Sequence, residues 1–246
     1  MKKRVYINQF YNRFRDFLKI KSIKNNIDKE NLKTLQSDGV FVFKKKFNLN
    51  IVDYKKYIDQ NNFDFVTKSV PLSNEDLNKV YNSLDKEIIT LVKNYLGRDL
   101  YCYEGMVKTL GNLKSTEESW QPHHDGRSRK IRIFIWLDKI NYNTHPLYYL
   151  KKSHKTFKMW KTYEETRARN LNKKLDKIYG DLGDILIFDT HGYHSDFKYT
   201  TVPRSVINLT IEPYGNFTRL NKNNLNSEVK RLNMKNINQI LSLQDY

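Results

Sequence analysis

The chain has 246 residues, 39% hydrophobic and 13% aromatic, with no Pro/Gly/Ser-rich stretch to divide it, which suits a single domain with one packed core. Its formal charge of +17 comes from 44 Lys+Arg against 27 Asp+Glu, and one cysteine, Cys102, excludes an intramolecular disulfide or a thiolate cluster for zinc or iron–sulfur chemistry. No apolar run is membrane-sized, and the basic start lacks the continuous apolar stretch of a signal peptide, so the protein is expected to be cytoplasmic and away from membranes.

In chain order, residues 1–36 read as helical, with Phe10, Phe14, Phe17 and Leu18 at helix spacing. The turn signal Ser37-Asp38-Gly39 then leads into a short strand, Val40–Phe43. Ser73, with Glu75 and Asp76 behind it, opens a helix whose apolar face carries Leu77, Val80, Leu84, Ile88, Ile89 and Val92, and Gly97 stops it. From Leu100 the texture changes to short aromatic and β-branched runs: Tyr101–Leu110, Lys130–Leu137, Leu147–Leu150, Asp184–Phe188 and Val206–Ile211. Phe157–Ile178 reads as an amphipathic helical insertion and Asn226–Leu243 as a closing helix. Few helices separate the strands, which excludes serial parallel crossovers and predicts a mostly β chain with flanking helices around a double-sheet jelly roll. The expected layout is one domain over 1–246. Residues 1–99 form a mainly helical flank with the first strand, 100–212 the jelly-roll core and 213–246 a C-terminal helical segment.

Lys and Asn are spread along the whole length, a pattern of genome composition rather than of a shaped basic patch. Nucleic acid is therefore not the expected partner, and the charge leans only towards an anionic small molecule. Oligomeric state is not legible.

The histidines are clustered. His123, His124 and Asp125 lie together between Trp120 and Gly126, and His191 and His194 lie just after the apolar run Ile185–Phe188. Without thiolates, a metal must bind through imidazole and carboxylate. In an extended segment residues i and i+2 share a side, so His123 and Asp125 point together while His124 points away. His194, arriving from a distant strand, completes two imidazoles and one carboxylate. That set suits iron(II), with positions opposite left for a co-substrate and O₂. His191 is the alternative ligand, or a residue touching substrate. Lys108 and Tyr103, on the strand before the metal loop, line either the pocket or an ordinary strand face. His124, His145 and His154 read as surface, turn and structural residues. The same ligands would serve a zinc hydrolase or isomerase on a cupin-like barrel. A metal-free jelly-roll module binding anionic glycan, nucleotide or nucleic acid is the reading from another class.

Gly183-Asp184-Ile-Leu-Ile-Phe-Asp189-Thr-His-Gly-Tyr-His194, with Arg204 ten positions later, resembles the phytanoyl-CoA dioxygenase-like family of 2-oxoglutarate oxygenases in order and spacing. Trp120-Gln-Pro-His123-His-Asp125-Gly resembles that family's Trp-His-x-Asp loop, with two extra residues after Trp120. Pro146 to Lys155 resembles its Gly-Pro-x-x-Tyr-x-x-Gly-Ser-His turn, and Asp38 to Phe43 its first strand. The resemblance covers residues 100–212 clearly. It implies Fe(II) held by His123, Asp125 and His194, 2-oxoglutarate held at its 5-carboxylate by Arg204, and O₂ as co-substrate. A guanidinium fork fits that role, because it is always charged and grips a carboxylate with two donors. The implied outcome is hydroxylation of a small molecule with release of succinate and CO₂. Asp125 favours it over halogenation, since chlorinating members lack this carboxylate, while desaturation, epoxidation and ring formation stay open. Trp136 stands near a cofactor-contacting Trp of the family, though its place in an apolar strand also suits a plain core role.

Two departures stand out. Lys151-Lys152 replaces a pair that often ends in Gly, and Asp196 stands where a small hydroxyl residue often helps to hold the 5-carboxylate. An acid facing that carboxylate would repel it, so Asp196 is expected to point elsewhere and the second holder is unassigned. Substrate identity belongs to the variable segments 44–74, 111–121 and 155–180.

Overall fold

The computed structural model describes residues 29–44, 47–58, 63, 65, 67–97, 100–111, 121–125, 130–141, 143–144, 146–156, 175–195 and 202–213, with the side chains of 100–104 and 212–213 left aside. The expected helix before residue 29, most of the 157–178 insertion, the closing helix at 226–243, and Trp120, Gly126, His145 and Asp196 lie outside the described residues.

Helix α1 (Lys29–Asp38) ends where Gly39 takes φ +80 and donates its N–H to Leu35, and strand β1 (Val40–Phe43) follows at once. Glycine is required there for a second reason: a Cβ would strike the Tyr149 hydroxyl and the His154 ring.

Ser73 caps helix α2 (Asn74–Asn82), its hydroxyl accepting from the Asp76 N–H at 3.2 Å, as the sequence predicts. The single helix expected as far as Gly97 is in fact two. Asp85 makes a second N-cap, accepting from the Glu87 N–H at 2.9 Å, and opens α3 (Lys86–Leu96). Ser83 and Asp85 compete with the helix for its own backbone groups and win locally, while the apolar period continues across the break and disguises it. Gly97, at φ 68, then closes α3 as expected.

The strands are β2 (Thr67–Pro71), β3 (Leu100–Leu110), β4 (Ile131–Trp136), β5 (Leu147–Tyr149), β6 (Asp176–Ile178), β7 (Ile185–Asp189), β8 (His194–Ser195) and β9 (Arg204–Pro213). They form a six-stranded sheet, β1-β7-β4-β9-β3-β2, and a three-stranded sheet, β6-β5-β8, with every pair antiparallel. Register sorts the large sheet into two faces. Ile131, Ile133 and Ile135 of β4 stand beside Ile185 and Ile187 of β7 and Ile207, Leu209 and Ile211 of β9, and this face packs on the helices. The other face carries Val40, Phe134, Trp136, Leu186, Phe188 and Val206, which meet Leu147 and Tyr149 of the small sheet in a second, inner core. Two antiparallel sheets closed over such an inner core are a jelly roll, the expected fold class.

Three strands escape sequence reading. β2 is a polar edge strand, mostly exposed, with no alternation to betray it. β8 has two residues, and β6, which takes Asp176–Ile178 out of the expected helical insertion, has three. Such short pieces hold their conformation through neighbouring strands, not through their own propensity. Among the described residues no helix is long and apolar enough to cross a membrane.

Candidate metal centre

Two distant segments meet as an antiparallel pair. The His123 N–H donates to the His194 carbonyl at 2.9 Å and the His194 N–H returns to the His123 carbonyl at 2.8 Å. Residues directly opposite in such a pair share a face, and here the imidazole centroids stand 4.6 Å apart. Asp125, two residues on, falls on the same side and is anchored by its N–H to the Thr190 carbonyl at 2.9 Å. One ligand atom from each of His123, Asp125 and His194 lies within 4.8 Å of the others.

The donors are prepared for a cation. His194 is 1% exposed; its Nδ1 lies 2.9 Å from the Gly192 carbonyl and so carries the proton, which turns the lone pair of Nε2 towards Asp125. That Nε2 is buried without a hydrogen-bond partner and stands 3.9 Å from Asp125 Oδ1. Burial, reinforced by the neighbouring His123, pushes the His194 imidazole down to about 3, so it is neutral at pH 7. Burial alone would raise the Asp125 carboxyl, but the Arg132 guanidinium and the two imidazoles outweigh it and hold it at about 2.

The His194 shift has a stability consequence. Between the unfolded value of 6.5 and the folded value of about 3, the unfolded chain binds a proton that the folded chain refuses. Stability therefore falls as pH drops through that window, by at most about 1.4 kcal/mol per pH unit. Urea melts of metal-free protein at pH 7, 6 and 5 should show this slope in the wild type and lose most of it in His194→Gln. Equal slopes would mean that the folded protein protonates His194 at no cost.

The turn between β7 and β8 is braced from four sides. Asp189 Oδ1 accepts the His191 N–H at 2.8 Å, and Oδ2 accepts the Tyr95 hydroxyl of α3 at 2.6 Å. The Tyr149 hydroxyl donates to the Asp189 carbonyl at 2.9 Å and passes so close to Gly192 that no Cβ fits there. The Ser153 hydroxyl accepts the Tyr193 N–H at 2.8 Å. Asp189 is 1% exposed, so Asp189→Ala strands two buried donors and is expected to cost about 2–4 kcal/mol in chemical denaturation. A cost near zero would show that the turn holds itself.

Arg204 begins β9 at 1% exposure, and the Asp138 carboxylate fastens the strand there by accepting the Ser205 N–H at 2.6 Å. The Arg204 guanidinium carbon stands 5.9 Å from the Phe134 ring centroid, Phe134 meets Phe188 at 5.1 Å, and Phe188 meets the His194 ring at 5.4 Å. A floor of two phenylalanines thus connects the triad to Arg204. Trp136 is fully buried in the inner core, pressed against Gly180, and its indole N–H has no hydrogen-bond partner. Lys108 is half-buried, opposite Val206 on β9 and Ser69 on β2, and shares the inner face with Trp136. Tyr103 lies at the register shift between Cys102 and Glu104, and its side chain lies outside the described residues.

His191 is not part of the triad. It is 7% exposed, and its ring meets His124 edge-on at 5.4 Å. His124 points away from His123 and Asp125 as the alternation predicts, but it is 4% exposed, not a surface residue, because His191 and Tyr193 cover it. His154 is structural, with Nε2 3.1 Å from the Gln36 carbonyl. Lys152, at the position where the family resemblance leads one to expect Gly, adopts φ 67, so the departure changes the residue but keeps the left-handed backbone. Sequence reasoning missed Arg132, whose guanidinium lies 3.2 Å from Asp125 Oδ2. Its one signal was a charge in an otherwise apolar strand, Ile131–Trp136.

No family model and no curated protein matches the sequence. Among solved structures the chain is similar to HygX from Streptomyces hygroscopicus with nickel and 2-oxoglutarate bound, at 15% identity and TM-score 0.58 over 77% of this chain and 88% of that one. It is similar to the epimerase SnoN in complex with Fe³⁺, alpha-ketoglutarate and nogalamycin RO, at 13% identity and TM-score 0.56 over 75% and 83%. It is also similar to EctD from S. alaskensis with 2-oxoglutarate and 5-hydroxyectoine, at 15% identity and TM-score 0.57 over 79% of each chain. At such identities the likeness establishes the jelly-roll fold.

Proposed function

We propose that this chain is an Fe(II)- and 2-oxoglutarate-dependent oxygenase of the phytanoyl-CoA dioxygenase-like kind, which hydroxylates a small molecule and releases succinate and CO₂. The observation that carries the reading is the convergence of His123, Asp125 and His194 from two distant segments, with the buried Nε2 of His194 lacking any hydrogen bond within the protein. A buried acceptor without a partner is costly, and a cation is the partner that two imidazoles and a carboxylate suit.

Two nitrogens and one oxygen on one side are the donor set of mononuclear non-haem iron. Iron bound there would supply O₂ activation coupled to decarboxylation of the co-substrate. The chain's own part is placement. Arg204 would grip the 5-carboxylate of 2-oxoglutarate from beyond the phenylalanine floor, and Phe134 and Phe188 would keep water from the space between. The Trp136 indole N–H, buried without a hydrogen-bond partner, is the further donor we assign to the co-substrate. Lys108, a half-buried cation on that face, and His191 are the residues we assign to substrate. The structural neighbours include an epimerase and a protein crystallised with hygromycin B, so the fold accommodates more than one outcome and sizeable ligands.

Anaerobic titration of metal-free protein with Fe(II) and 2-oxoglutarate tests the reading. A weak visible charge-transfer band should develop, followed on exposure to O₂ by succinate release. A protein that binds neither component would instead be a bare jelly-roll binding module.

A further inference from the structure

We propose that Arg132 is a positioning residue for the metal centre: it holds one oxygen of Asp125 so that only the other is presented to the cation. The inference rests on the metal-centre reading above. Its basis is the way the Asp125 carboxylate is divided between two neighbours. Oδ2 lies 3.2 Å from Arg132 Nη2, whereas Oδ1 lies 3.9 Å from His194 Nε2, on the side where the other ligands converge.

The backbone makes this division possible. The Asp125 N–H is fixed to Thr190, which sets where the side chain starts but leaves its carboxylate free to rotate. Arg132 stands on β4 between Phe188 of β7 and Thr210 of β9, on the inner face, because its neighbours Ile131 and Ile133 occupy the helix-facing side. Its guanidinium therefore approaches Asp125 from the sheet, and the other oxygen is left for the ligand cluster. At 23% and 18% side-chain exposure the pair is shielded enough to hold its geometry, unlike a pair of fully solvated charges. A carboxylate held in this way would offer a bound cation one oxygen rather than two, so that His123, Asp125 and His194 would each supply a single donor and leave room for a co-substrate.

Cobalt(II) titration of the metal-free protein, followed by its d–d absorption, tests the inference independently of turnover. Arg132→Gln should weaken cobalt binding about 10- to 100-fold and alter the band envelope, as loss of a partner that orients a ligand does. Arg132→Lys, which keeps the charge but not the rigid planar guanidinium, should recover part of the affinity. In an Asp125→Asn background, Arg132→Gln should change cobalt affinity by less than about threefold, because its route to the metal is gone. Wild-type affinity and spectrum in Arg132→Gln would overturn the proposal. So would an equal loss in both backgrounds, which would mark Arg132 as a general support of the fold. If Arg132→Gln does not fold, Arg132→Lys decides: a wild-type spectrum and affinity with only the charge retained would refute the need for a guanidinium fixed against Oδ2. Failure of the wild type itself to bind cobalt would remove the metal-centre reading, a result distinct from all of these.

Discussion

His194→Ala is expected to abolish the Fe(II)–2-oxoglutarate charge-transfer band and to weaken cobalt or iron binding by more than about 100-fold, beyond the loss typical of a partner outside the ligand set. The expectation follows from the position of the imidazole. It is fully enclosed, its Nδ1 is committed to the Gly192 carbonyl, and its Nε2 faces Asp125 with no protein partner. No other described side chain can take its place, because the nearest histidine in sequence, His191, is turned towards His124. The fold should survive. Truncating the ring opens a cavity, but it also removes a buried, unsatisfied acceptor, and these terms oppose each other, leaving a net change of about 1–2 kcal/mol. His191→Ala is the control and should keep both band and affinity. The opposite result, metal retained by His194→Ala and lost by His191→Ala, would exchange the two roles.

The legible parts of this molecule were those in which a local pattern carries its own chemistry. His123 and Asp125 share a side because extended chain alternates, and that holds whatever surrounds them. Ser73 and Gly97 mark helix ends by side-chain and backbone chemistry that needs no tertiary context. The Ile-rich face of β4 was legible as strand because branched residues recur there on the helix-packed side. What stayed hidden depends on partners remote in sequence. β8 exists only because Tyr148 and Tyr149 of β5 pair with its two residues on one side and His123 pairs with His194 on the other. Arg132 has meaning only once β4 and the 121–125 loop are brought together. Asp189 looked like one more residue of a family-like strand end until Tyr95, 94 positions away, was found bonded to it. The burial of His124 likewise follows from two rings on another segment. Pairwise tertiary contacts of this kind leave no periodicity to read.

Arg204→Met is expected to raise the dissociation constant for 2-oxoglutarate about 100-fold, equivalent to about 2.7 kcal/mol, while metal affinity without co-substrate changes by less than about twofold. Methionine keeps much of the buried volume, so packing over Phe134 is largely preserved and the measurement reports the lost charge. The size of the effect comes from desolvation. At 1% exposure the guanidinium would meet the co-substrate carboxylate where water does not compete, and charge-assisted bonds are strongest in such a place. Arg204→Lys should fall between the two, because a point charge cannot reproduce the two parallel donors of the fork. Calorimetric titration of the metal-loaded protein separates the cases: a weakened constant with an unchanged metal isotherm places the carboxylate at Arg204. Wild-type co-substrate affinity in Arg204→Met would instead move the anchor to Lys108, a described cation on this face of the large sheet, on the strand that pairs with β9 across Val206. The inner face would then keep its metal but bind its dicarboxylate from the opposite strand, with Arg204 left to support the start of β9.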